Sequence, residues 1–156
     1  MKRSSILIIF VAILFASLPA LAQSTRIGTF DQTSIVVAYY RSTLWSDTLK
    51  AKKAEFAEAQ KAGDTAKANA LQAWGEQSQE LAHQQLAGKA SINNVMDALR
   101  PAFDEIEKTA HVSSVIPYSS AINKADSVDV TGQLLDWLKA DDTTRQLLKQ
   151  LPQKSN

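Results

Sequence analysis

Along the middle of the chain, apolar residues recur at alternating steps of four and three. Trp45, Leu49, Lys52, Phe56 and Ala59 form one such run, with Lys52 its polar member. Leu71, Trp74, Ser78, Leu81, Gln85, Gly88, Ile92, Val95, Leu99, Ala102 and Ile106 form a second, longer run without a slip. Steps of three and four keep side chains on one helix face, and seven residues per two turns is the coiled-coil period. The pattern therefore predicts one helix over residues 44–62 and another over 65–110. At about 1.5 Å per residue these would span roughly 28 and 69 Å, a markedly unequal pair.

Between the two runs lies KAGDTAK, residues 61–67. Gly63 suits the end of the first helix, and Asp64 or Thr65 suits the cap of the second. The chain is thus expected to fold back as an antiparallel helical hairpin, with the arm at about 44–85. Met96 and Phe103 widen the apolar stripe between Ile92 and Ile106, which marks the base as core and the tip as a thin arm. Pro101, inside the long helix, is expected to cost a hydrogen bond to Asp97 and to kink it.

The flanks read as short elements. RIGTF, residues 26–30, is a strand candidate. In the following DQTSIVVAYYRS the β-branched Ile35-Val36-Val37 favours strand, whereas Asp31 is a good helix N-cap, and the residues alone leave both open. Residues 112–117 and 121–123 read as two further strands. A closing helix follows, capped by Asp129 or Thr131, with Leu134, Leu135 and Leu138 as its apolar face. DDTTRQLLKQLP adds a short amphipathic helix stopped by Pro152, and QKSN at 153–156 is expected to fray. The fold class is α+β, an arm on a small β body. Three short strands are marginal alone and their edges invite pairing. The sheet is therefore expected to be shared between copies, with Ile27, Phe30, Val112, Val115 and Ile116 at the interface.

The first residues change the setting. Lys2 and Arg3, an apolar run over residues 6–16 and the Ala20-Leu21-Ala22 motif read as a secretory signal peptide, cleaved after Ala22 and too short for a transmembrane helix. Domains follow as 1–22 leader, 23–140 arm and body, and 141–156 short helix and tail, with no integral membrane anchor expected. Removing Lys2 and Arg3 from the 17 basic residues leaves 15, slightly outnumbered by the 16 acidic ones, which argues against nucleic acid as a partner. There is no cysteine, so packing or assembly must supply stability. The five glycines form neither a phosphate loop nor a nucleophile elbow. His83 and His111 lack companions at metal-ligand spacing. No catalytic residue, metal or cofactor is expected, and the chain reads as a non-enzyme.

The order of these parts resembles the Skp/OmpH periplasmic chaperones. The likeness rests on the leader, RIGTFD, KAGDTAK at the hairpin turn, ALRPAFDEIEKTA running into VSSVIP, and SVDVTGQLLDWL with its D-x-T start. It covers about residues 26–138. The resemblance implies a short helix after the first strand and a homotrimer in which strands of three chains form a β body. It further implies a holdase, independent of ATP, that keeps unfolded outer-membrane β-barrel proteins in the periplasm between the arms. It assigns no role to the final DDTTRQLLKQLP helix. The other reading is a non-enzymatic envelope adaptor that docks one folded partner through the hairpin.

Trp45, Leu49, Phe56, Leu71, Trp74 and Leu81 carry the arm. They are candidates for client contact or for the seam between the helices, and the three-four spacing favours the seam. Lys50, Lys52, Lys53, Lys61 and Lys67 read as a solvated face, with weak pairs expected between Lys52 and Glu55 and between Lys61 and Glu58.

Overall fold

The computed structural model describes residues 26–122 and 124–151. The expected leader at 1–22 with its cleavage site, Asn123 of the expected strand 121–123, the stop at Pro152 and the fraying end 153–156 lie outside the described residues. The chain runs β1 (Ile27–Phe30), α1 (Gln32–Arg41), α2 (Thr43–Lys61), α3 (Thr65–Leu86), α4 (Asn93–Ala98), α5 (Arg100–Thr109) and β2 (Val115–Pro117). Two 3-10 turns (Tyr118–Ser120 and Lys124–Asp126) then lead to β3 (Ser127–Asp129), α6 (Thr131–Trp137) and α7 (Asp142–Gln150). This is a mostly helical α+β chain.

The sheet is entirely parallel, ordered β2-β1-β3. Gly28 stands opposite Val115 on one side and Val128 on the other. Parallel neighbours need a return connection between them. Strands of three residues are only about 10 Å long, so the chain between β2 and β3 can cross over β1 without a helix. The third strand is Ser127–Asp129, not the expected 121–123. Ala121 is buried outside any strand and Ile122 is fully exposed.

The open segment after β1 is a helix. The Asp31 carboxylate accepts a hydrogen bond from the Ser34 N–H at 2.7 Å, and the Asp31 N–H donates to the Thr131 hydroxyl at 2.9 Å. Ile35 and Val36 are completely buried, and burial on a helix face outweighs their strand propensity.

The expected long helix over 65–110 is not continuous, and the arms are not unequal. With 22 residues α3 spans about 33 Å against about 29 Å for α2. Gly88 takes φ +70°, while the Gly88 and Lys89 N–H groups donate to the Gln85 and Gln84 carbonyls. That is a Schellman ending, the same device that Gly63 with φ +69° supplies for α2. Near Pro101 the helix is interrupted at Leu99 rather than bent in mid-course, and Pro101 itself falls in the first turn of the restarted helix α5, where no N–H is required.

The body has a core of its own. Phe30, Ile35, Val36, Val95, Leu99, Val130 and Leu134 are all essentially inaccessible to solvent, and Phe30 stacks on Phe103 with ring centroids 6.1 Å apart. Ile92, Val95, Leu99, Ala102 and Ile106, the second half of the predicted stripe, are buried there. The C-terminal helix has a clear structural role: the Arg41 Nε donates to the buried Thr144 hydroxyl at 2.9 Å, fastening α7 to the end of α1.

Candidate functional site

The feature that stands apart from the body is the pair α2 and α3. They pack on each other and, at their root, on α1. Ser42 begins the arm: its hydroxyl accepts from the Trp45 N–H and caps α2. At the tip the Asp64 carboxylate caps α3 by accepting from the Lys67 N–H at 2.9 Å, as expected from the sequence.

The seam follows the predicted spacing. Trp45, Leu49, Phe56, Leu71, Trp74 and Leu81 are all half-buried, and Ala59 and Gln85 are buried, whereas most residues beside them are exposed. Trp45 and Trp74 meet across the seam with ring centroids 6.0 Å apart, and the Lys52 ammonium lies 6.0 Å from the Trp74 ring. The Lys52 pair with Glu55 and the Lys61 pair with Glu58 form at 3.0 and 3.1 Å. An open groove runs between the helices near the tip, lined by Phe56, Ala59, Gly63, Ala68 and Gln72 among others.

At the root the seam turns aromatic, then polar. Trp45 packs edge-on to Tyr40 at 5.0 Å and tilted against Tyr39 at 5.9 Å. Burial, aided by the neighbouring Tyr40, raises the Tyr39 phenol above its ordinary pKa. Below these rings sits Gln85, only 2% exposed. Its Oε1 accepts from the Tyr40 hydroxyl at 2.7 Å, and its Nε2 donates to the Ser91 carbonyl at 2.6 Å and to Asn94 Oδ1 at 2.5 Å. Asn94 donates back to the Tyr40 hydroxyl at 3.4 Å, so the set closes on itself. Sequence reasoning placed Gln85 in the seam but gave it no role. A long amide at a stripe position between Leu81 and Ile92 was the available signal.

Of the residues expected at a subunit interface, Phe30, Val112 and Val115 are buried by their own chain, while Ile27 and Ile116 are half-buried. Among the described residues, no group of three or more metal-ligating side chains comes together, and no helix is long and apolar enough to cross a membrane. Comparison with protein families, curated proteins and solved structures finds no match for this chain.

Proposed function

We propose that this chain is a periplasmic holdase chaperone of the Skp kind, acting as a homo-oligomer, most simply a trimer, on unfolded outer-membrane β-barrel proteins. The observation that carries the reading is the arm. Two helices of about 30 Å leave the body and, among the described residues, pack mainly on each other beyond their root, a shape suited to holding an extended chain rather than enclosing a small molecule. Several such arms on one assembly would grip through many weak contacts, each raising the effective concentration of the next. Barrel strands, with apolar side chains at every second position, present such contacts along their length. Release then needs no nucleotide, because no single contact is strong.

The joint between copies would use the outer edges of β2 and β3 together with Ile27 and Ile116, which keep accessible surface. A second reading, an adaptor docking one folded partner, is favoured by the pairing of Trp45 with Trp74, which spends the largest apolar rings of the arm inside the seam.

The test is suppression of aggregation of a urea-denatured outer-membrane barrel diluted into buffer with the purified protein at stoichiometric amounts. Soluble client supports the holdase. Aggregation at the rate of buffer alone, with one folded protein captured from envelope extract, would replace it by the adaptor.

A further inference from the structure

Two breaks in the helical backbone meet where the arm joins the body. On one side α1 ends at Arg41 and α2 begins at Thr43, with Ser42 alone between them in extended conformation at φ −76° and ψ 162°. On the other side α3 ends at Leu86, Gly88 takes φ +70°, and α4 begins at Asn93. The arm is covalently joined to the body through these two links alone.

The side chains that bridge the links belong to opposite sides of them. Gln85, on the arm, bonds Tyr40, which precedes Ser42, and Ser91 and Asn94, which follow Gly88. Trp45, on the arm, rests on Tyr39 and Tyr40 of the body. The two kinds of tie differ physically. Ring contacts tolerate sliding over about an ångström or two, whereas a buried amide bound at both ends accepts only a narrow range of angles.

We infer that the arm turns as one piece about Ser42 and Gly88, and that the buried Gln85 amide is the latch that holds it against α1. Opening the latch exchanges the hydrogen bonds of Gln85 for bonds to water, an exchange of small net cost. The seam from Leu49 to Leu81 lies wholly within the arm, so it is not broken by the turn. Opening is therefore far cheaper than unfolding. The device holds whatever the arm binds and does not rest on the holdase reading.

The chain has no cysteine, so Lys61→Cys at the exposed tip and Lys108→Cys on the exposed face of α5 introduce a spin-label pair with no background. Labelled chain diluted into excess unlabelled chain confines pulsed electron paramagnetic resonance to distances within one copy. The expected result is one narrow distance peak for the parent, at least twofold broader in Gln85→Ala and of intermediate width in Tyr40→Phe, with far-ultraviolet helix content unchanged. A parent peak already broad, or peaks as narrow as the parent's in both variants, would overturn the latch. If Gln85→Ala loses helix content, Tyr40→Phe decides: a broader peak supports the latch and an unchanged one refutes it.

Discussion

Trp45 and Trp74 face each other across the arm with ring centroids 6.0 Å apart and planes inclined at 35°. One comes from the first turn of α2 and the other from the middle of α3, so the contact sets how far the two helices have slid past one another. Trp74 is also the ring beneath the Lys52 ammonium, and a cation over an indole adds a modest attraction at an exposed site.

Replacing Trp74 by alanine is expected to lower stability by about 1–2 kcal/mol. That is less than the ~3–5 kcal/mol of a fully buried aromatic, because Trp74 is half-buried. Denaturant unfolding and client binding measured on the same sample separate the two roles of this residue. Lost stability with retained binding identifies seam; retained stability with lost binding identifies contact surface.

Acid should loosen the C-terminal helix. Side-chain and backbone hydrogen bonds from Thr144 hold the Asp141 carboxyl below its ordinary value of 3.8. A depressed native pKa means the contribution is full above 3.8 and is lost as pH falls through the lower folded value. The Thr144 amide, whose N–H lies 2.7 Å from Asp141 Oδ1, should show this as a chemical-shift titration that Asp141→Asn abolishes.

Alkali should act at the arm root. Desolvation, and secondarily Tyr40, raises the Tyr39 phenol above 10.0, so the stability it reports is full below pH 10.0 and declines as pH rises through the folded value. Tyr39→Phe should flatten that decline in thermal-melt midpoints recorded between pH 9 and about 11.

Two helix ends are strained where α2 and α3 use glycine. His111 and Lys139 take φ +52° and +54° at the ends of α5 and α6, in the same 6→1 bonded turns. His111→Gly and Lys139→Gly are each expected to stabilise by about 1 kcal/mol, since the left-handed region costs a residue with a Cβ about that much. Gly88→Ala should destabilise by a similar amount. Midpoints in urea, with unchanged slope, check all three.

Assembly is best probed where the chain does not use the residue for itself. Ile116→Asp and Ile27→Asp, at half-buried positions, should dissociate an oligomer joined through the sheet while leaving a folded chain. Val115→Asp should unfold the chain, because its site is 5% exposed within one copy and an unpaired charge there is costly. Light scattering and circular dichroism together distinguish the two outcomes. A fully assembled Ile116→Asp and Ile27→Asp pair would place the joint elsewhere.

The spacing of apolar residues was enough to locate the arm, Gly63 its turn, Asp64 or Thr65 the following cap, and charges three positions apart the pairs Lys52–Glu55 and Lys61–Glu58. Each of these depends on residues within a few positions of one another along a helix, whose geometry is set by the backbone alone. The break at Gly88 was not legible, because the three-four spacing runs through it unchanged from Gln85 to Ile92. The stripe is covered on both sides of the break, along the arm against α2, at Gln85 against α1, and from Ile92 onward in the body, and a count of spacings does not register a change of partner.

Parallel pairing of the strands, the placing of β3 at Ser127–Asp129 and the helical state of Ile35 and Val36 were decided by contacts between residues far apart in the chain. So was the Gln85 network, in which Tyr40 lies 45 positions away. The sequence by itself determined the seam of the arm, its turn at Gly63 and its local ion pairs, since those terms are local. Only the tertiary structure decided what each face is buried against, since burial is a property of neighbours that the linear order does not name.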